Sequence, residues 1–144
     1  RKLSCYMKKY FLLSVLFLVI VACSKKVEKF ELFSCESFAY SLDKGWETNL
    51  SVRVKGFEQE ENDNKFSVKL SYTVDLQTPD GRMIYKLDSG VFEKTASERM
   101  MDQQINSQIQ LDTTYVTGTY KIFINVVDEF SGRKSVQWSY FELS

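Results

Sequence analysis

FSVKLSYTVDLQ, residues 66–77, decides the fold class. Phe66, Val68, Leu70, Tyr72, Val74 and Leu76 alternate with Ser67, Lys69, Ser71, Thr73, Asp75 and Gln77. A period of two puts one set inside and the other in water, which is the pattern of a half-buried strand. The same period recurs on both sides. Leu50, Val52 and Val54 alternate with Ser51, Arg53 and Lys55; Ile105, Ile109 and Leu111 oppose Asn106, Gln108 and Gln110. Tyr120, Ile122, Ile124 and Val126 share a face, and Val136, Trp138 and Tyr140 oppose Ser135, Gln137 and Ser139. A less regular first strand runs through Phe30–Tyr40. Turn residues separate these runs: Asp43-Lys44-Gly45, the charged loop Glu58–Asn64, Thr78-Pro79-Asp80-Gly81 and Ser131-Gly132-Arg133. Proline presets φ and glycine supplies positive φ in such turns. About seven antiparallel strands over residues 30–144 predict an all-β sandwich. The one helical candidate is Thr95–Gln104, where Thr95 and Glu98 have capping-box spacing; a short helix or an irregular crossing is expected there.

The front of the chain reads as an address. Met7 is followed by Lys8 and Lys9, then by an apolar run from Tyr10 to Ile20 broken only by Ser14. A basic start, a run of about 7–15 apolar residues and a small residue before the cut are the parts of a secretory signal. The run is too short to span a bilayer, which needs about 20 residues. Residues 1–6 are expected to lie upstream of the true start at Met7.

Ile20-Val21-Ala22-Cys23 resembles the lipobox of bacterial lipoproteins. The resemblance covers residues 7–23. It implies that an apolar signal helix, residues 1–22, is cut between Ala22 and Cys23. Cys23 then carries the lipid, diacylglycerol on its thiol and an acyl chain such as palmitate on its amino group. Several acyl chains anchor a protein stably where one does not. Residues 23–29, with Lys25, Lys26 and Lys29, read as a solvated tether. Ser24 resembles the residue that permits sorting to the outer membrane. The implied location is the bacterial cell envelope: outer membrane or periplasm-facing, or the cell surface.

Charge and composition narrow the function. The 144 residues hold 19 basic and 19 acidic side chains and no histidine. Residues 1–22 carry Arg1, Lys2, Lys8 and Lys9 and no acid, so the 122 residues from Cys23 onward have a net charge of −4. That balance argues against a nucleic-acid partner. Without histidine there is no Ser/His/Asp or Cys/His device, and no SxxK replaces it. The glycines sit singly, so no phosphate loop is present. No CxxC or Cys/His cluster exists to hold zinc, and no other metal or cofactor is called for. Cys35 is left without a partner and reads as a buried structural thiol. The acids Glu58, Glu60, Glu61 and Asp63 read as a solvated run, with weak calcium binding as the sharper alternative.

The C-terminal half is similar to immunoglobulin-like and fibronectin III-like domains. Gly118-Thr119-Tyr120 resembles the entry to their penultimate strand, where a tyrosine hydrogen-bonds back across the corner. Asp128, Ser131, Gly132 and Arg133 resemble the last hairpin of bacterial modules of this class, and Pro79-Asp80-Gly81-Arg82 their mid-domain hairpin. The resemblance spans residues 65–143. It lacks the Cys…Trp…Cys signature of antibody-type domains: Cys35 is single, and Trp46 precedes the expected place. Tyr120 would be the corner tyrosine or else an ordinary core aromatic.

Phe123 and Val127 fall out of phase with the inward set of their strand, and Phe141 and Leu143 follow Tyr140 in the same way. These four are the expected apolar patch on the outside, unless another segment covers them. The reading is a lipid-anchored extracytoplasmic binding module, not an enzyme, attached to the membrane through Cys23. Its partner would be an envelope protein or glycan. The alternative is a structural or assembly accessory subunit of an envelope complex.

Overall fold

The computed structural model describes residues 27–144. The expected signal, the expected cleavage pair Ala22 and Cys23, and the first residues of the expected tether lie outside the described residues. From Val27 onward the chain is all β. Its strands are β1 (Glu31–Ser41), β2 (Trp46–Lys55), β3 (Glu60–Asn62), β4 (Lys65–Gln77), β5 (Met83–Ala96), β6 (Gln103–Leu111), β7 (Gly118–Asp128) and β8 (Lys134–Leu143). One antiparallel sheet has the order β1-β2-β6. The other has the order β5-β4-β7-β8, with β3 on the first residues of β4. The two sheets enclose a single core and form a sandwich.

Alternation builds that core. Val68, Leu70, Val74 and Leu76 of β4 and Tyr120, Ile122, Ile124 and Val126 of β7 meet Leu50, Val52 and Val54 of β2 and Ile105, Ile109 and Leu111 of β6. The flanks of the sandwich close with polar bonds. At one, Gln137 Nε2 donates to Leu32 O at 3.3 Å and Ser37 Oγ to Tyr140 O at 3.2 Å. At the other, Ser107 of β6 donates to Asp88 of β5.

Two sequence expectations change and one open alternative is decided. Over Thr95–Gln104 the irregular crossing forms and the helix does not. Thr95 and Ala96 finish β5, Gln103 and Gln104 begin β6, and the chain between them crosses from one sheet to the other. Cross-strand pairing with Ser67 takes the Thr95 hydroxyl (3.0 Å) that would have capped a helix. The crossing is held instead by Gln59. Its amide accepts from Met100 N at 2.7 Å and donates to Met100 O at 3.0 Å, as a neighbouring strand would.

The loop Glu58–Asn64 also contains a strand. Asp63 and Asn64 both adopt positive φ (50° and 60°) and make the two-residue turn between β3 and β4.

Thirdly, the faces of β8 are reversed. Val136, Trp138 and Tyr140 point outward at 46%, 48% and 58% exposure, while Phe141 and Leu143 are buried. The pairs Tyr120↔Phe141 and Gly118↔Leu143 set this register, and Ser135, Gln137 and Ser139 turn toward the β1 flank.

Cys35 sits at a bulge of β1, where the register with β2 shifts between Phe33 and Glu36. It is half-buried and free. Burial, with the Glu36 charge, pushes its thiol up to about 11. Only the thiolate is nucleophilic, so alkylation of folded protein near pH 8 should be far slower than of urea-unfolded protein. The rate should climb about tenfold per pH unit until pH approaches that value. Equal rates in the folded and unfolded states would contradict the burial.

Candidate interaction surface

The outer face of the β7–β8 pair is built by cross-strand rows. Phe123 lies between Trp138 on β8 and Asp75 on β4; Lys121 lies between Tyr140 and Gln77; Asn125 lies between Val136 and Thr73. Partners in a row share a face of the sheet. Strand spacing of about 4.8 Å therefore places rings and polar groups side by side.

Lys121 is the centre of this surface. Its Nζ lies 5.0 Å from the Phe123 ring centroid, 4.8 Å from Trp138 and 5.6 Å from Tyr140. Each such contact contributes about 0.5–1 kcal/mol at an exposed site. The cation fixes the three rings while leaving the outer sides of Trp138 and Tyr140 open to solvent. Beside them runs a polar row. Asn125 Nδ2 donates to Asp75 Oδ2 at 3.0 Å and to Thr73 Oγ1 at 3.4 Å, and Lys86 N donates to Asp75 Oδ1 at 2.9 Å. Round the β1–β8 flank, Phe38 and Tyr40 are also exposed, with their rings stacked at 6.4 Å.

Of the four residues expected on this surface, the structure brings two to it. Phe123 and Val127 are on the outer face and half-buried. Phe141 and Leu143 are not there; they are 4% and 2% exposed and belong to the core. The residues missed were Lys121, Val136, Trp138 and Tyr140. The signal for the last three was present in β8, where both parities carry apolar residues, but alternation alone does not say which parity faces in.

Tyr120 is buried and stacks on Phe141, ring centroids 5.5 Å apart and planes 10° from parallel. Its hydroxyl donates to Val116 O at 2.6 Å. Burial pushes that hydroxyl above its ordinary value.

A groove of about 760 Å³ opens next to it, between the β4–β5 turn and the β6–β7 loop. Pro79, Ile84, Tyr115 and Val116 line it together with Asp80 and Asp112. Both carboxylates already serve their own turns. The Thr78 hydroxyl, aided by Arg82, holds Asp80 below the usual carboxylate range, and Thr114 does the same for Asp112. Among the described residues no cluster of three or more acidic or cysteine side chains is placed to hold a metal ion.

No family model matches the chain, and no curated protein matches it. A solved structure does. It is the X-ray structure of a Northeast Structural Genomics Consortium target, SoR45, with 15% identity and a TM-score of 0.45 over 83% of this chain and 89% of that one.

Proposed function

We propose that the chain is a lipid-anchored extracytoplasmic binding module of the bacterial envelope, with an immunoglobulin-like sandwich that recognises its partner through the outer face of β7 and β8. One observation carries the recognition surface: Trp138 and Tyr140 stand about half exposed around Lys121. Large rings left in water forgo the burial that would otherwise favour them, and amphipathic aromatics are the side chains interfaces use most. The immunoglobulin-like reading is supported by β1, β2 and β6 facing β4, β7 and β8, and by Tyr120 bonding upstream from the start of the penultimate strand. Anchoring is supported by the lipobox residues Ile20–Cys23 and by the short tether behind them.

Two experiments test the proposal. A lipid precursor should label the wild type and not Cys23→Ala; labelling of the variant would remove the anchor. For the surface, a photo-crosslinking residue is placed at Tyr140, and a control at Gln108 on the opposite sheet. Adducts in native membranes should form at 140, not at 108, and should disappear with Trp138→Ala. That variant should keep its melting midpoint within a few degrees, because its ring is half exposed. Equal adducts at both positions would reject this face.

A further inference from the structure

We propose that the end of the sandwich where the chain enters docks on the phospholipid interface, with Met101 at the contact, and that the opposite end is held off the membrane. The inference rests on lipidation at Cys23.

The entry point is fixed. Arg133 Nη1 donates to Glu28 O at 3.1 Å and Nη2 donates to Gly56 O at 2.7 Å. The backbones touch there: a Cβ on Gly56 would lie 2.1 Å from Lys29 O. Phe30 is buried, with the Arg133 guanidinium 5.8 Å above its ring. The chain therefore leaves the domain at Glu28, at the end formed by residues 56–59, 97–102 and 129–133.

Five residue steps lead from Cys23 to Glu28. Fully extended they reach about 18 Å at most. β1 alone rises through 11 residues from this end, or about 35 Å. The far end carries Leu42–Gly45, Thr78–Arg82 and the β6–β7 loop, and Trp46 Nε1 bonds Ser144 O there at 3.2 Å. A tether half the length of the domain cannot let it invert onto the bilayer.

What the near end offers is apolar. Among the described residues the two most exposed large hydrophobic side chains are Val27 at 83% and Met101 at 79%, and both are at this end. Gln59 clamps the backbone of Met100, so Met101 is presented from a fixed loop. It borders a groove shared with Glu28, Phe33 and Phe57. A flexible thioether suits an irregular acyl-headgroup boundary. Glu58, Glu60 and Glu61 beside it offset Lys25, Lys26 and Lys29 of the tether, so no net charge draws this end to anionic lipid and the contact is apolar.

The test uses the full lipidated chain with Cys35→Ser, reconstituted in vesicles of phosphatidylethanolamine and phosphatidylglycerol. A polarity-sensitive fluorophore is attached to Met101→Cys or, at the far end, to Val116→Cys. Lipids carrying a shallow nitroxide should quench the label at 101 several-fold more than the label at 116. The ratio should not change when phosphatidylcholine replaces phosphatidylglycerol. Protein that floats with the vesicles but is quenched equally at both positions, or more at 116, overturns the docking. Protein that fails to float, with an N-terminal peptide lacking diacylglycerol, overturns the anchor and the docking with it.

Discussion

Asp128→Ala is expected to lower the melting midpoint of the domain by about 12–20 °C, the largest loss foreseen for a single polar side chain. Asp128 has no exposed surface. Its carboxylate accepts from Glu58 N at 2.8 Å, Phe130 N at 3.1 Å and Ser131 Oγ at 2.7 Å, and faces Arg133 Nη2 at 3.7 Å. Its own backbone closes the β7–β8 turn, donating to Arg133 O at 2.9 Å and accepting from Gly132 N at 2.7 Å. One side chain thus joins the last hairpin to the β2–β3 connection, and through Arg133 to the entering chain. Removing it strands the Glu58 and Phe130 backbone donors, while Arg133, 35% exposed, keeps its bonds to Glu28 O and Gly56 O. Each donor left unsatisfied costs about 1–3 kcal/mol, together about 4 kcal/mol, a large share of the roughly 5–15 kcal/mol that holds a domain together. Asp128→Asn keeps acceptor capacity and should lose less. Thermal unfolding of the two variants checks both statements. An alanine variant melting within 4 °C or so of wild type would deny Asp128 the role.

Phe141→Ala should be nearly as damaging, and Phe123→Ser should not. Phe141 is 4% exposed and stacks on Tyr120. Truncating a buried phenylalanine costs about 3–5 kcal/mol through lost transfer energy and the cavity left behind. Phe123 lies on the other face, half-buried beneath the Lys121 ammonium. Its loss removes one cation–π contact and part of a surface cluster, about 1–2 kcal/mol. Chemical denaturation of the two variants should separate them by a clear shift in midpoint at unchanged slope. Similar midpoints would mean that β8 does not hold the register Tyr120↔Phe141.

That pair also shows what was legible in advance. β4, β2, β6 and β7 each have one apolar and one mixed or polar parity, and their inward faces follow directly from alternation. The turns at Thr78–Arg82 and Asp128–Arg133 carry their own chemistry in Pro, Asp, Ser and Gly. The hub at Asp128 was visible only as a hairpin motif. Its partner Glu58 lies 70 residues away in sequence, and the Gly56 carbonyl that Arg133 reaches lies 77 residues from that arginine; nothing local announces either. Of the two alternatives at Thr95, the capping-box helix lost because a strand partner satisfied the same hydroxyl first.

The sequence by itself determined a half-buried antiparallel architecture and a chain without histidine, and it carries the lipobox resemblance at Ile20–Cys23 on which the proposed anchor rests. Alternating burial and turn chemistry are local properties, and they are written in neighbouring residues. Only the tertiary structure decided which side of β8 is the surface. Both of its parities hold large apolar residues, and a one-residue slip exchanges them. The pairing with β7 and the polar seam with β1 choose between them, placing Phe141 and Leu143 inside and leaving Trp138 and Tyr140 around Lys121 in water.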